Sequence, residues 1–157
     1  MQIHDYSQLT TLIPTQGFQF KNVVNKLFKC EVHEKKLKAI YNPQNPNKNN
    51  QIHGKGTRET KKIGVYALIY KGMLMKIGQA ADDSDGIFHR MSQYYRGKDA
   101  RCVHIDASNR DDVTVLYFNL EKAEECWAAE KLLQGIAYFC GEMMPWEEKK
   151  RKTKHKK

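Results

Sequence analysis

The sequence lacks the features that mark several broad classes of protein. No apolar run approaches the roughly 20 residues of a membrane-spanning helix, and no signal peptide opens the chain. No heptad pattern argues for a particular coiled-coil interface. These absences argue against a membrane-spanning or secreted protein and favour a soluble, intracellular and cytoplasmic one.

Cysteine is also sparse. The four cysteines are widely spaced, with no Cys-x-x-Cys pair and no dense framework, so reduced thiols are expected. Two pairs, Cys30 with His33 and Cys102 with His104, could suggest zinc. Neither follows a familiar zinc-finger spacing, and ordinary buried or surface residues are the preferred interpretation.

Acidic residues are outnumbered by basic ones. The 157 residues include 27 Lys and Arg against 18 Asp and Glu, a formal net charge of +9. Such a protein attracts polyanions, of which nucleic acid is the commonest. The last nine residues include seven Lys or Arg. This block is expected to be disordered and to bind phosphates in a salt-sensitive way, although a nuclear-import signal has the same composition.

The length predicts one domain with extensions. We expect an N-terminal helical extension over 1–41, a polar linker over 42–61, a catalytic domain over 62–146 and a basic tail over 147–157. The extension contains an apolar helical stripe: Phe20, Val23, Val24, Leu27 and Phe28. This helix is expected to buttress the sheet, to serve as a recognition helix, or to do both on opposite faces. The lysines that favour recognition are Lys21, Lys26, Lys29, Lys35, Lys36 and Lys38.

Two strands joined by a tight turn are predicted at the start of the catalytic domain. Residues 63–70 are rich in β-branched and aromatic side chains, and 73–77 form a shorter apolar run. Lys71 and Gly72 connect them, as suits a hairpin. Tyr66 and Lys76 are therefore expected on adjacent strands, with the register open.

A helix, a strand and a second helix are predicted next. The helix from Ile87 to about Arg96 has Arg90 on its apolar face. A strand is expected at Val113 to Phe118, and a shorter one around Cys102 to Ile105. Between the hairpin and the first helix lie Asp82, Asp83 and Asp85, which suit a solvated acidic loop at a helix N-terminus better than a calcium site.

The second helix is predicted from Leu120 to about Cys140. Its apolar face is expected to comprise Ala123, Cys126, Trp127, Leu133, Ile136 and Ala137. Glu130 falls on this stripe, and a carboxylate that faces a core needs a partner. The fold class expected from these elements is α+β, with a small central antiparallel sheet flanked by helices.

Two tripeptides carry a resemblance to a known family. Gly64-Val65-Tyr66 is followed after nine residues by Lys76-Ile77-Gly78. In order and spacing they resemble the two motifs of the GIY-YIG nuclease superfamily, with lysine where most members carry tyrosine, as in a restriction-enzyme-like branch. The resemblance covers roughly residues 62–140. It implies a GIY-YIG-like fold and hydrolysis of phosphodiester bonds.

The resemblance also implies roles for particular residues. Arg90 would bind the scissile phosphate, with Arg96 as the alternative match and an ion pair as the alternative role. Glu130 would be the metal ligand, with a buried salt bridge as the alternative. His89 and Tyr94 would join the catalytic group. Many relatives carry an asparagine after the glutamate helix, where this chain has Met143-Met144-Pro145-Trp146 instead.

The implied mechanism needs a general base and a divalent ion. Tyr66 would take or relay the proton of the attacking water, and Lys76 would favour its phenolate or position the water. Glu130 would hold Mg²⁺, with Mn²⁺ as a substitute. Gly64 and Gly78 are expected to allow close backbone approach.

The leading functional hypothesis is a Mg²⁺-dependent DNA endonuclease of restriction or phage type that cuts duplex DNA. A catalytically silent nucleic-acid-binding module of the same fold is the second hypothesis, and a protein-interaction domain with a localising basic tail is the third. Because one site cuts one strand per visit, double-strand cleavage would require a homodimer on DNA, two visits or reorientation.

Overall fold

The computed structural model of the protein describes residues 17–41, 59–81, 85–97 and 104–147. Its elements in chain order are α1 (Phe20–Phe28), β1 (His33–Lys36), α2 (Leu37–Tyr41), β2 (Gly64–Tyr70), β3 (Met73–Ala80), α3 (Gly86–Arg96), the 3-10 turn Arg110–Asp112, β4 (Thr114–Asn119) and α4 (Ala123–Phe139). Within these ranges, no helix has both the length and the apolar character to cross a membrane.

The four strands form one antiparallel sheet in the order β1-β4-β2-β3. Strand β2 is central, and its register places Tyr66 between Gly78 of β3 and Tyr117 of β4. Helices cover both faces of the sheet. The predicted α+β class, with an antiparallel sheet flanked by helices, is confirmed.

The predicted hairpin between β2 and β3 is also confirmed. Lys71 and Gly72 both have positive φ, at 54° and 77°. A two-residue turn with left-handed backbone at both positions matches the twist of the strands that it joins. Strand β3 continues to Ala80, beyond the predicted end at Ile77, and so brings Gly78 into the sheet.

Each face of the sheet has its own core because side chains alternate along a strand. Val65 and Ala67 pack with α1 and α4 on one face. Tyr66 and Leu68 pack with α2 and α3 on the other. Strand β3 lies at the edge between these two layers, so side chains from both helical layers can meet there.

The N-terminal segment differs from the predicted helical extension. Helix α1 does bury its apolar stripe, and the Phe28 ring stacks on Phe118 of β4 at 5.5 Å, which confirms a buttress. However, Lys35 and Lys36 belong to β1, which pairs with β4 and forms the other edge of the sheet. The prediction that these two lysines lie on a helix was wrong. Lysines suit an edge strand because their charge opposes pairing with further chains.

Several smaller predictions are corrected. Helix α4 begins at Ala123 rather than Leu120 and ends at Phe139. Trp127 was assigned to its apolar face but is 49% exposed, and Ala129 is buried there instead. The predicted short strand falls partly outside the described residues, and the part within them, His104 and Ile105, is not a strand.

Other predictions fall largely outside the described residues. These are the polar linker up to residue 58, Asp82 and Asp83 of the acidic loop, and the tail from residue 148. Asp85 is described and occupies the position before α3, but its side chain makes no capping hydrogen bond. The predicted capping role is therefore not met by this residue.

Candidate active site at the β3 edge

Tyr66 lies at the centre of the site. Its side chain is 1% exposed, and its hydroxyl is hydrogen-bonded to that of Tyr94 on α3. The two rings meet edge to face with centroids 5.9 Å apart. Gly78 lies directly beneath the Tyr66 ring, since a Cβ there would be 2.5 Å from the Tyr66 hydroxyl oxygen. Gly78 thus provides the close approach expected from the sequence.

Arg90 reaches the same region from α3. It is 3% exposed, as expected for a residue on the buried face of the helix, and its Nη1 donates to the backbone carbonyl of Gln79 at 3.1 Å. This bond ties the guanidinium to β3, one residue from Gly78. Arg96, the alternative match, lies at the end of the helix, where its Nε donates to the carbonyl of Ser92 at 3.3 Å. Position therefore favours Arg90.

Lys76 also lies on β3, but its observed partner differs from the expected one. Its ammonium forms an ion pair with Glu147 at 3.7 Å, and its side chain is only 9% exposed. In the register Lys76 is opposite Leu68, whereas Gly78 is opposite Tyr66. The strands are adjacent as predicted, yet the charge of Lys76 is balanced by a carboxylate. A direct action of Lys76 on Tyr66 stays a prediction.

Glu147 was not among the predicted site residues, because it was assigned to the basic tail. It accepts a hydrogen bond from the backbone nitrogen of Ile77 at 3.0 Å and another from Gln134 of α4 at 3.2 Å. Gln134 also donates to the carbonyl of Ile77 at 2.8 Å. Glu147 and Gln134 thereby satisfy the outward-facing backbone of the edge strand, and the tail boundary at 147 was wrong.

A signal for Glu147 was present in the sequence. Met144 and Trp146 are both buried, and they alternate with polar or exposed neighbours just before it. The backbone nitrogen of Trp146 donates to the carbonyl of Met75 at 2.9 Å. A large aromatic residue in a charged segment predicts such anchoring, since burial of its surface is favourable. The segment therefore runs along β3 as part of the folded domain.

Glu130 connects the two helical layers electrostatically. It is half-buried on α4, and burial raises the pKa of its carboxyl above the ordinary value. The positive charges of Lys131, Lys76 and Arg90 oppose that rise in pKa, whereas the negative charge of Glu147 adds to it. The charges of two other predicted site residues, Lys76 and Arg90, thus act on the Glu130 carboxyl.

The remaining candidates are Tyr94 and His89. Tyr94 is 1% exposed and shares the hydroxyl contact with Tyr66, so the structure places it in the cluster. His89 is half-buried on α3, next to Arg90 in sequence. Consecutive helix residues point about 100° apart. A catalytic role for His89 stays a prediction.

A metal site here would depend on few protein ligands. Among the described residues, no group of three or more His, Cys, Asp and Glu side chains is placed to hold a metal ion. Mg²⁺ commonly takes one or two carboxylates and keeps several waters, so it does not need such a group. Glu130 fits this pattern, because a cation beside a half-buried carboxylate offsets the cost of its charge.

A separate groove lies at the turn end of the hairpin, lined by residues that include Phe18, Met73 and Leu116. None of the predicted site residues Tyr66, Lys76, Arg90, Tyr94 and Glu130 lines this groove. Its walls are mostly apolar, and the charged residues in its lining include Lys21 and Glu34, which form an exposed ion pair with each other. The chemistry therefore points to the charged cluster rather than to the groove.

Comparisons with protein-family models, with curated proteins and with solved structures give no match. The functional interpretation therefore rests on the residues of this chain and on their arrangement.

Proposed function

We propose that this protein is a Mg²⁺-dependent endonuclease that hydrolyses phosphodiester bonds in DNA. The observation that carries the proposal is that Tyr66 and Arg90 contact neighbouring residues of β3, while the positive charge of Arg90 acts on the Glu130 carboxyl. Arg90 donates a hydrogen bond to the carbonyl of Gln79, and the neighbouring Gly78 packs against the Tyr66 ring. A base candidate, a cation and a carboxylate are the groups that phosphodiester hydrolysis requires.

Each residue has a role in this proposal. Arg90 binds non-bridging phosphate oxygens and stabilises the negative charge that grows in the transition state. Its bond to Gln79 orients the guanidinium in advance. Tyr66 takes or relays the proton of the attacking water, and the Tyr94 hydroxyl holds the Tyr66 hydroxyl in place. Glu130 would hold Mg²⁺, which supplies Lewis-acid stabilisation of the phosphate and leaving oxygen when bound.

Lys76 and Glu147 set the charge around Glu130. Lys76 opposes the rise in the Glu130 pKa, and Glu147 adds to it. A Glu130 carboxylate that is ionised at neutral pH is needed to bind a cation. Lys76 therefore supports the metal site through its charge.

The test is cleavage of supercoiled plasmid with and without Mg²⁺ by wild type, Glu130→Gln and Glu124→Gln. Glu124 is exposed on the same helix and serves as a matched control. We expect Mg²⁺-dependent nicking or linear product with wild type and Glu124→Gln, and none with Glu130→Gln. Cleavage by Glu130→Gln that still depends on metal would show that Glu130 is not the ligand.

A second candidate function is a nucleic-acid-binding module without activity. The burial of Tyr66 and Arg90, at 1% and 3% exposure, favours it, because a substrate phosphate must reach both groups. The Lys76–Glu147 ion pair is likewise typical of a structural network. Salt-sensitive DNA binding without cleavage under Mg²⁺ or Mn²⁺ would support this candidate over the nuclease.

A further inference from the structure

One side of α4 exposes two large aromatic side chains that the core does not use. Trp127 is 49% exposed and Tyr138 is 51% exposed. Between them the exposed residues of the helix are Ala128, Lys131 and Gly135. Lys131 is the charged side chain among these exposed residues, and the half-buried carboxylate of Glu130 lies next to it in the helix. We call Trp127, Lys131 and Tyr138 the aromatic stripe.

The members of the aromatic stripe point in similar directions. At 3.6 residues per turn, positions 127, 131 and 138 fall within about 40° of one another around the helix. The 11 residue steps from Trp127 to Tyr138 span about 16 Å along the axis. This length suits a strand of several nucleotides rather than one small molecule.

Gly135 leaves open space beside the stripe. It lies in the interior of α4, where glycine costs about 0.5–1 kcal/mol relative to alanine. A Cβ at this position would meet no atom within 4 Å, so packing inside the protein does not require the glycine. Ala128 and Gly135 have small side chains or none, so planar groups such as bases can approach the Trp127 and Tyr138 rings without a clash.

The aromatic stripe borders the candidate active site. Lys131 directly follows Glu130 in α4, and its charge acts on the Glu130 carboxyl. Gln134, on the same side of α4, is bonded to Glu147. A nucleic acid strand at the β3 edge would therefore pass beside the stripe.

Aromatic rings at this spacing with a lysine between them match the chemistry of single-stranded nucleic acid. Unpaired bases stack on aromatic side chains, and lysine neutralises the phosphates. In a duplex the base faces are already stacked on one another. We propose that the aromatic stripe binds unpaired nucleotides next to the scissile phosphate, so that the substrate is DNA with a single-stranded segment; its link to cleavage rests on the proposed function.

Binding can be measured without cleavage, because the chain contains two tryptophans. Trp146 is 6% exposed and stacked with Tyr70 and His104, so Trp127 is the accessible fluorophore. Full-length protein is titrated with oligothymidylate without divalent metal. We expect quenching of the Trp127 emission, and absence of that quenching in Trp127→Phe.

Affinity is then measured by anisotropy of labelled oligothymidylate and of a labelled duplex. Trp127→Ala should weaken single-strand binding by about 5- to 150-fold, the range for loss of one stacked base. Trp127→Phe should stay close to wild type because it retains a ring. Met73→Ala is the control, since Met73 is 57% exposed at the hairpin turn, outside the stripe.

Three results would overturn the proposal. The first is equal oligothymidylate affinity of Trp127→Ala and wild type. The second is tighter binding of the duplex with no effect of Trp127→Ala. The third is a protein dimer that Trp127→Ala dissociates while oligothymidylate affinity stays unchanged, which would identify a protein contact. These binding measurements omit metal, so they can be interpreted even if the protein proves not to be a nuclease. Preferential cleavage by wild type of splayed DNA over fully paired DNA would link the aromatic stripe to the proposed activity.

Discussion

Gly78→Ala is the most direct test of how the two tyrosines are held. The methyl group would lie 2.5 Å from the Tyr66 hydroxyl oxygen and 2.6 Å from its Cζ. Carbon atoms at optimal contact are about 3.5–4.0 Å apart. The ring or the strand must therefore move by about 1 Å. The ring has little freedom, because Tyr66 is 1% exposed and bonded to Tyr94.

This displacement has two expected consequences. Overpacking of a core costs about 1–3 kcal/mol in the free energy of unfolding. For a protein of this size that corresponds to a fall in Tm of about 2–4 °C per kcal/mol. If Tyr66 is the base, a shift of about 1 Å should also lower kcat by about 100-fold.

The assays are thermal unfolding and single-turnover cleavage of plasmid DNA. For thermal unfolding, Gly135→Ala is a matched control, because the same methyl group meets no atom within 4 Å and lies in a helix interior. It should raise the free energy of unfolding by about 0.5–1 kcal/mol. The same chemical change therefore has opposite effects on stability at the two glycines.

An unchanged Tm for Gly78→Ala would refute the packing of Tyr66 on β3. If Gly78→Ala is less stable but cleaves DNA as well as wild type, the packing of Tyr66 on β3 is correct, but the exact position of Tyr66 does not matter for catalysis. A fall in kcat that is larger than the fall in the fraction of folded protein would support both the packing of Tyr66 and its role as the base.

Further predictions concern the Tyr66–Tyr94 pair and the two carboxylates. Tyr94→Phe removes a hydrogen-bond partner of the buried Tyr66 hydroxyl and should lower the free energy of urea unfolding by about 1–3 kcal/mol. Tyr66→Phe should abolish cleavage. Equal activity of Tyr66→Phe and wild type would exclude Tyr66 as the base. Because burial raises the Glu130 pKa, Glu130 lowers stability as pH rises through that pKa, so Glu130→Gln should be more stable than wild type at neutral pH without metal. The difference should vanish below pH 4.5, and urea unfolding at both pH values measures it. Glu147→Gln removes a like charge and should lower the Glu130 pKa, measured by carboxyl NMR; an unchanged pKa would place Glu147 too far away.

The sequence by itself determined the elements that have strong local signals. The short Lys71-Gly72 connection predicted the hairpin, because its glycine readily adopts the left-handed backbone that a two-residue turn needs. The apolar spacing of α3 placed Arg90 on the buried face, and the stripe of α1 placed that helix against a core. Helical and strand periods are properties of the local chain, so they can be read from it.

Other features were decided only by tertiary structure. The segment at His33–Lys36 is a strand because β4 offers it a partner, which no local pattern in a lysine-rich segment reveals. The pairing of Tyr66 with Gly78, rather than with Lys76, follows from the register of the whole sheet. Glu147 joins the site because Trp146 is anchored on β3 across a long sequence separation. Such contacts depend on which surfaces meet after folding, and that is why the sequence identified the candidate residues but not their partners.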